Sequence, residues 1–267
     1  MAKDIRVLIV EDDPYAGDLM ALLLTRDWRT RVVGEVTNQS ELVAFLAQPG
    51  GRVDTVVLDT EMPGAPDLPF ELAALTEQMP DPPAVLFTGT QSSPRPLNWM
   101  INRQRGGYVM KNELFYALAS AVSVAAAGHC VITPGVQNAR AQADLPVGSY
   151  ILDGRRQWTA FTPREREIIR LAMIFNLAIR DMADELVLSP GWVSEIVSTI
   201  YMKLGLRGIL TGEAILEDYF DDEIVLVHCR EITQRGKSGS DEKKLRKAPW
   251  MSTLAFHLLT IPESHRI

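Results

Sequence analysis

Five short apolar runs in the first 130 residues constrain the fold more than any other feature of the chain. The runs lie at residues 7–10, 31–36, 53–58, 83–89 and 107–111, and helical patterns separate them. Short apolar runs are typical of strands buried on both faces of a sheet. Because these strands alternate with helices, we predict an α/β fold with a parallel sheet and helices on both sides.

Polar side chains stand at the ends of four of these runs. The set comprises an acidic cluster that includes Glu11 and Asp12, followed by Asp59, Thr88 and Lys111. In an open α/β sheet the carboxyl ends of the strands form the usual binding edge. Carboxylate oxygens at that edge suit Mg²⁺, and a carboxylate can act as a nucleophile toward a phosphoryl group. Taken alone, Asp59 also fits a solvated carboxylate that ends a strand.

Composition places the chain among ordinary globular proteins. The net charge is −7 and the hydrophobic fraction is 46%, so no overall basic surface for nucleic acid is expected. Residues 155–210 nevertheless carry slightly more basic than acidic side chains. Such a locally basic module can bind phosphates within an acidic chain.

Cysteine content and apolar segments indicate a cytoplasmic protein. Cys130 and Cys229 are the two cysteines of the chain, and they are far apart. This usage fits a reducing compartment and offers no metal-binding spacing. We find neither a signal peptide nor an apolar segment of the roughly 20 residues that span a membrane, and we expect no membrane partner.

A second module is predicted at residues 158–220. Thr162, Pro163 and Glu165 form a helix start with a capping box. Further helices are predicted at 178–186 and from Ser189 to about residue 204, with a fourth that begins near Thr211. Short helices joined by tight turns indicate a helix-turn-helix arrangement.

The remaining segments contain fewer sequence patterns that predict structure. Residues 131–157 contain turn residues and small polar side chains, which predict a linker with one short helix. Residues 221–267 form a C-terminal extension of uncertain structure. Within it we expect a strand at 223–229, a flexible basic stretch at 234–247 and a helix at 250–261.

The motifs VLIVEDDP, VVLDTEMPG, VLFTGT and GYVMKN occur in this order within residues 1–130. Together they resemble the receiver domain of two-component response regulators, a flavodoxin-like (CheY-like) domain with a five-stranded parallel sheet. The resemblance implies that a sensor histidine kinase phosphorylates Asp59 in a step that requires Mg²⁺. It implies metal ligation by Glu11, Asp12, Asp59 and the carbonyl of Glu61, and phosphoryl binding and switching by Thr88, Tyr108 and Lys111.

One stretch departs from the receiver pattern. Pro94 and Pro96 lie where the fourth helix of a receiver begins. Because proline lacks a backbone donor and disfavours helix interiors, we expect this helix to start only at about Pro96 or Leu97.

The strings FTPREREIIRLA, IRDMADEL and LSPGWVSEIVSTIYMKLGL resemble the four-helix DNA-binding domain of the NarL/LuxR class. With a receiver in front, the chain resembles a whole NarL/FixJ-type response regulator, and the recognition helix would start at Pro190. Members of this class commonly present Lys where Ser194 stands, and the adjacent Glu195 repels phosphates although it can accept from cytosine N4. The candidate DNA contacts are Arg180, Trp192, Ser194, Glu195, Lys203 and Arg207. In the alternative interpretation, Arg180, Lys203 and Arg207 lie on a solvated helix surface, and Trp192 fills the core.

These features predict a response regulator. We expect it to catalyse no reaction other than its own phosphorylation and dephosphorylation. Phosphorylation would promote dimerisation and DNA binding that alters transcription. In the alternative, a degenerate helix-turn-helix mediates protein contact, a role that Ser194 and Glu195 favour. A phosphatase of the haloacid-dehalogenase type is less consistent with the sequence, because that family carries an Asp-x-Asp motif and Glu61 stands in its second position.

Overall fold

The computed structural model describes residues 4–48, 52–136, 145–153, 160–211, 213–220, 222–238, 249–260 and 263–266. Its internal contacts divide the chain into two compact units. The first unit comprises Lys3–Thr25, Arg29–Gly154 and Pro262–Ile267. The second comprises Met1–Ala2, Arg26–Trp28 and Arg155–Ile261. Each unit has its own hydrophobic core.

An extended sheet forms the centre of the first unit. In the described residues its strands are β1 (Ile5–Val10), β2 (Thr30–Val36), β3 (Thr55–Asp59), β4 (Ala84–Gly89), β5 (Gly106–Met110), β6 (Cys130–Ile132), β7 (Tyr150–Asp153) and β8 (Glu263–Arg266). Their spatial order is β2-β1-β3-β4-β5-β6-β7-β8. The first seven strands are parallel, and β8 pairs antiparallel with β7. The parallel α/β architecture is confirmed, but the expectation of five strands is wrong.

The additional strands β6 and β7 lie in the range where the sequence predicted a linker. Two hydrogen bonds to residues at and just after the end of β5 hold the start of this range in place: the Met110 backbone N–H donates to Thr133 Oγ1 at 3.1 Å, and the Gly135 N–H donates to the Glu113 carboxylate at 3.1 Å. Glu113 is buried, so these hydrogen bonds fix the chain beside the sheet. Strands of three and four residues between turn residues carry too weak a pattern to be recognised in the sequence.

Within the part of the first unit that the structure describes, five helices flank this sheet: α1 (Pro14–Arg26), α2 (Gln39–Leu46), α3 (Leu68–Thr76), α4 (Pro94–Arg103) and α5 (Leu114–Ala126). Helix α4 corrects the expectation of a late start, because it begins at Pro94. Ser93 caps it by accepting from the Arg95 N–H, and both prolines lie in the first turn. Backbone N–H groups of a first turn have no helical partner, so proline is tolerated there.

The second unit is helical. Its helices are α6 (Pro163–Ile169), α7 (Ile179–Glu185), α8 (Pro190–Lys203), α9 (Leu206–Thr211), α10 (Glu223–Ser238) and α11 (Pro249–Thr260). The capping box of Thr162 and Glu165 is present, and α6 continues into a π-helical turn at Arg170–Ile174. The fourth helix ends at Thr211, whereas the sequence placed its start there.

Helix α10 corrects the prediction of a strand at 223–229. Val225, Cys229 and Ile232 are buried, and their spacing of four and three residues is that of one helical face. The predicted basic stretch at 234–247 begins inside this helix, and its residues 239–247 lie outside the described residues. The predicted terminal helix is confirmed as α11. Among the helices of the described ranges, none has the length and apolar character needed to cross a membrane.

Candidate functional site

Three carboxylates converge at the carboxyl ends of β1 and β3. Glu11 and Asp12 follow β1 directly, and Asp59 is the last residue of β3. One oxygen from each of the three lies within 4.8 Å of the others. Glu11 and Asp59 are 3% and 2% exposed, so the cluster is open to solvent mainly at Asp12.

Lys111 supplies the positive charge at this cluster. Its ammonium nitrogen lies 2.9 Å from Glu11 Oε2 and 3.2 Å from Asp59 Oδ1. Lys111 stands at the end of β5, so the two ion pairs join strand ends that are distant in sequence. The pKa of Lys111 is raised: burial alone would lower it, but the hydrogen bond to Glu11 and the charge of Asp59 outweigh that effect.

Burial controls the protonation of the two enclosed carboxyl groups. It raises the pKa of Glu11 to about 7 and raises the pKa of Asp59 above its ordinary value, although Lys111 opposes both shifts. A carboxylate that is costly to ionise in a buried cluster favours a proton or a cation nearby. The donor set therefore fits Mg²⁺, which prefers carboxylate oxygens.

Thr88 lies beside Asp59 on the neighbouring strand. The two residues are paired in the register of β3 and β4. The Thr88 side chain is fully buried, and its Oγ1 has no hydrogen-bond partner within the described part of the chain. A buried hydroxyl without a partner is unfavourable, so this atom is available for a group that binds at Asp59.

Backbone and side-chain hydrogen bonds shape the rim of the cluster. The Glu61 N–H donates to Asp59 Oδ1 at 3.1 Å, and Thr60 Oγ1 donates to the Thr88 carbonyl at 2.8 Å. The Glu61 carboxylate accepts from the Thr90 N–H at 3.2 Å and from its hydroxyl. The sequence places Glu61 and Thr90 beside the site but gives no signal for the contact of Thr60, which depends on the approach of the β3 and β4 ends.

Tyr108 points into the first unit. Its ring is fully buried, its hydroxyl donates to the Gln91 carbonyl, and burial raises its pKa to about 12. Gly89 makes room for this arrangement: a Cβ at position 89 would lie 2.5 Å from Thr60 Oγ1 and 3.1 Å from the Tyr108 hydroxyl. The region between Asp59 and Tyr108 is thus closely packed, and a side chain cannot be added at residue 89 without displacement.

The candidate DNA contacts lie on three helices of the second unit. Helix α8 buries Val193 and Ile200 and exposes Trp192 and Glu195 on its other face, while Ser194 is half-buried. Arg180 on α7 and Arg207 on α9 are exposed.

Trp192 does not fill the core. Its side chain is 44% exposed, and the Arg164 guanidinium lies 5.9 Å from its ring centre. The large apolar residue four positions after Trp192, Ile196, instead packs against the core. The exposed surface of the first two turns of α8 therefore carries an aromatic and an acidic side chain.

Lys203 is held within its own unit. Its ammonium forms an ion pair with Glu165 at 2.7 Å and donates to the Ala160 carbonyl at 3.2 Å. Because Glu165 also closes the capping box of α6, this lysine stabilises a helix start. Among the described residues, Arg180 and Arg207 form no such ion pair.

Comparison with known proteins gives relatives that match most of the chain. The transcriptional regulatory protein UhpA of Escherichia coli is 28% identical over 203 residues, which are 76% of this chain and 92% of UhpA. The probable transcriptional regulatory protein NarL of Mycobacterium tuberculosis is 24% identical over 226 residues, which are 82% of this chain and 97% of that protein. Among solved structures, the RcsB response regulator of Salmonella typhimurium covers 77% of this chain and 93% of its own, with 20% identity and a TM-score of 0.46.

No family model matches the sequence. The two named regulators nevertheless match over nearly their whole lengths, in agreement with the motifs of both modules. The resemblance predicted from those motifs is confirmed: this chain is similar to response regulators of the NarL/FixJ type.

Proposed function

We propose that this chain is a response regulator in which Asp59 accepts a phosphoryl group and the helical unit conveys that change to double-stranded DNA. One observation carries the proposal. Asp59 ends β3 within a buried carboxylate cluster, beside the ammonium of Lys111 and the unpartnered hydroxyl of Thr88. A nucleophile, a cation and a hydrogen-bond donor for phosphoryl oxygens therefore meet at the carboxyl-terminal edge of the sheet.

Glu11, Asp12, Asp59 and the carbonyl of Glu61 would hold Mg²⁺. When bound, the ion neutralises negative charge on the phosphoryl oxygens. The burial of Glu11 and Asp59 supports this assignment, because their ionised forms need a nearby cation.

In the proposed transfer, an Asp59 carboxylate oxygen attacks the phosphorus of a phosphohistidine on a sensor kinase. The new phosphorus–oxygen bond forms as the phosphorus–nitrogen bond breaks, and the imidazole leaves with its electron pair. Lys111 then pairs with the added oxygens, and Thr88 Oγ1 donates a hydrogen bond to one of them. Drawing Thr88 inward frees volume toward Tyr108, whose ring would change rotamer.

We assign residues 1–130 to the receiver, 131–157 to a connecting segment, 158–220 to the helix-turn-helix domain and 221–267 to an extension. In this assignment α8 is the recognition helix. Arg180 and Arg207 contact phosphates, while Trp192, Ser194 and Glu195 face the groove. Paired helix-turn-helix domains of a homodimer would occupy two half-sites. The chain then has no enzymatic activity beyond the chemistry at Asp59.

A second candidate function has its own support. Trp192 is 44% exposed, Glu195 is exposed, and Lys203 is tied to Glu165. An aromatic and acidic surface with one cation withdrawn is better suited to a protein partner than to phosphates. The names of the relatives, which are transcriptional regulatory proteins, favour DNA.

The phosphoryl site is tested by treating the full chain with acetyl phosphate and Mg²⁺ and measuring intact mass. We expect one added phosphoryl group, none in Asp59→Asn, and unchanged labelling in Asp13→Asn. Asp13 is a matched control because its carboxylate accepts from the Tyr15 N–H at the start of α1 and is outside the three-carboxylate cluster. Labelling that persists in Asp59→Asn would refute the assignment.

The output is tested by measuring binding of the full chain to mixed duplex DNA across a range of salt concentrations. DNA binding predicts an affinity that falls steeply with salt, because counterions are released from the phosphates. An affinity that is undetectable at low salt, or independent of salt, would favour the protein-contact function.

A further inference from the structure

The turn between α1 and β2 belongs to the helical unit. This α1–β2 turn consists of Arg26, Asp27 and Trp28, and the residues on either side of it belong to the first unit. Connecting turns usually lie on the protein surface, and an aspartate is seldom fully buried without a partner. Asp27 is nevertheless only 2% exposed. The burial of the turn therefore depends on specific partners, and these lie on α10, on α11 and just after α6.

Trp28 stacks with two histidines of the C-terminal extension. Its ring centre lies 5.0 Å from that of His228 on α10 and 4.3 Å from that of His257 on α11. The angles between the ring planes are 12° and 27°. The Trp28 side chain also packs against the hydrophobic core of the helical unit. Because an aromatic side chain buries a large area, Trp28 stabilises the association of α10 with α11.

His257 also binds the backbone and the charge of the turn. The Trp28 N–H donates to His257 Nε2 at 3.2 Å, and His257 Nδ1 lies 3.7 Å from Asp27 Oδ2. Since a backbone N–H can only donate, Nε2 is the accepting nitrogen, and Nδ1 carries the ring hydrogen toward Asp27. Both side chains are almost completely buried. Removing either partner would leave a buried polar group without its contact, which is unfavourable.

Arg26 completes the contact from the last residue of α1. Its guanidinium donates to the Met173 carbonyl at 2.9 Å and to the Ser252 hydroxyl at 3.1 Å. It also lies 5.9 Å from the ring centre of Phe256 on α11. A cation, an anion and an aromatic ring thus follow one another in the turn, and each meets a complementary group in the helical unit.

Helix α1 joins this turn to the carboxylate cluster. It begins at Pro14, two residues after Asp12, and its 13 residues end at Arg26. At 1.5 Å per residue the helix spans about 20 Å. Gly17 in α1 faces a member of the cluster, because a Cβ at this position would lie 3.9 Å from Glu11 Cγ. One continuous helix therefore contacts the cluster near its start and enters the helical unit at its end.

We propose that α10 and α11 form an intramolecular binding surface for the α1–β2 turn, and that α1 thereby transmits the state of the carboxylate cluster to the helical unit. The occupant of this surface is the chain's own Arg26-Asp27-Trp28. This proposal gives the C-terminal extension a function. The binding surface is inferred from the contacts of the turn, whereas transmission of a phosphoryl signal rests on the proposed function.

Amide hydrogen exchange in the full chain tests the binding surface through Trp28→Ala. Judged by its place in the sequence, this substitution should affect α1 and β2; judged by its contacts, it should affect α11. We expect the amides of Leu254 and Leu258 in α11 to exchange at least about tenfold faster, because α11 loses a buried aromatic partner. Unchanged exchange at these two amides would overturn the binding surface, whatever happens in β2.

Trp99→Ala is the matched control. Trp99 is a partly buried tryptophan of α4, and its ring contacts Phe87 of β4 edge-on. Its loss should speed exchange in β4 and leave α11 unchanged. An acceleration of α11 as large as that caused by Trp28→Ala would contradict a specific role of Trp28.

Two milder variants keep the test decisive if Trp28→Ala does not fold. Trp28→Phe retains a ring for stacking, and Arg26→Met retains an apolar side chain but loses the hydrogen bonds to Met173 and Ser252. We expect both to speed exchange in α11 by a smaller factor than Trp28→Ala. Exchange in α11 that neither variant changes would refute the binding surface.

Transmission is measured by the same exchange, with Mg²⁺ alone and with Mg²⁺ plus acetyl phosphate. We expect exchange in α11 to change by about fivefold or more when the cluster is occupied, which is the lower end of usual coupling between sites. Trp28→Ala should abolish this change. No change in the original chain, or an equal change in the variant, would refute transmission through α1.

Intact mass of the same samples separates this proposal from the proposed function. A phosphoryl group on Asp59 without any change in α11 would refute transmission and leave the phosphoryl site intact. Absence of the phosphoryl group from every sample would refute the proposed function. In that case the sample with Mg²⁺ alone still tests transmission from the cluster, and Trp28→Ala still tests the binding surface.

Discussion

The ammonium of Lys111 lies 2.9 Å from Oε2 of Glu11, although one residue follows β5 and the other follows β1. The ion pair joins two strand ends around a carboxylate that is 3% exposed. Because Lys111 also contacts Asp59, a single cation balances two buried acidic groups. The stability of the first unit should therefore depend on pH and on divalent cations.

We predict that, without divalent cations, stability falls as pH rises from 4.5 to about 7. Burial raises the pKa of Glu11 from 4.5 to about 7, so the folded state holds this proton more tightly than the unfolded state. The stabilisation is complete below the unfolded pKa and is lost as pH passes the folded pKa. Its size is on the order of 3 kcal/mol.

Urea unfolding in EDTA across this pH range measures the effect, and Glu11→Gln is the control, since it cannot titrate. Subtracting the variant's curve of unfolding free energy against pH leaves the contribution of Glu11, because the other titrating groups are common to both proteins. Saturating Mg²⁺ should raise stability most at the upper end of the range, where the carboxylates are ionised. A difference curve that is flat, or that rises with pH in EDTA, would contradict the prediction.

Thr88→Val should leave the unmodified protein as stable as before or stabilise it by up to about 1 kcal/mol, because it replaces an unpartnered buried hydroxyl with a methyl group of similar size. The matched control is Thr76→Val. Thr76 is equally buried, but its hydroxyl donates to the Ala73 carbonyl at 2.7 Å, so its loss should cost about 1 kcal/mol.

The same pair of variants separates stability from signalling. Thr88→Val should still accept a phosphoryl group from acetyl phosphate, but the change in Tyr108 fluorescence or chemical shift on phosphorylation should be lost. Thr76→Val should keep that change. Equal destabilisation of the two variants would show that Thr88 Oγ1 already has a hydrogen-bond partner.

Arg207→Met should lower the slope of log affinity for DNA against log salt by about 1, as expected for the loss of one phosphate contact. Lys203→Met should leave the slope unchanged, because the Lys203 ammonium is bound to Glu165 and the Ala160 carbonyl. It should instead destabilise the helical unit by about 1 kcal/mol or less, since the pair is partly exposed. Equal changes of slope would show that Lys203 leaves Glu165 to contact DNA.

Val187→Gly should stabilise the helical unit by roughly 0.5–1 kcal/mol, after the entropic cost of glycine is subtracted. Val187 has a φ of 53° in the turn between α7 and α8, and it is 89% exposed, so it gains little from packing. Left-handed backbone is unfavourable for a β-branched residue.

Two variants control for this effect in thermal unfolding. Val187→Ala keeps a Cβ and should gain less than Val187→Gly. Val43→Gly places glycine at an exposed valine inside α2, where the backbone is ordinary helix, and should cost about 0.5–1 kcal/mol. A loss of stability in Val187→Gly would mean that its side chain contributes a contact that outweighs the backbone strain.

The sequence predicted the first five strands and the residues at their ends because both depend on local patterns. Fully buried parallel strands are continuous apolar runs, and their carboxyl ends meet at one edge of the sheet, so the sequence alone predicts that Asp59, Thr88 and Lys111 lie close together. The capping box of Thr162 and Glu165 could also be predicted, because its two residues are only three positions apart in the sequence.

The errors concern features that depend on tertiary contacts. Strand β6 is held by Glu113 and Thr133 side chains, whose partners cannot be identified from spacing alone. The apolar run at 223–229 fits a strand or a buried helix, and burial of Val225, Cys229 and Ile232 decides for the helix. The ion pair of Lys203 with Glu165 likewise depends on a tertiary contact that the sequence does not reveal, and the role of Lys203 in DNA binding stays a prediction.

The pairing of β7 with β8 also sets an order for biosynthesis. The first seven strands can assemble once residue 153 has left the ribosome, and the helical residues can fold before residue 263 is made. The final pair closes a contact between residues that are far apart in sequence, and such contacts form slowly. A ribosome-bound chain would therefore carry a sheet whose β7 edge is open, and the exposed edge offers a place for chaperones or neighbouring nascent chains to bind until β8 arrives.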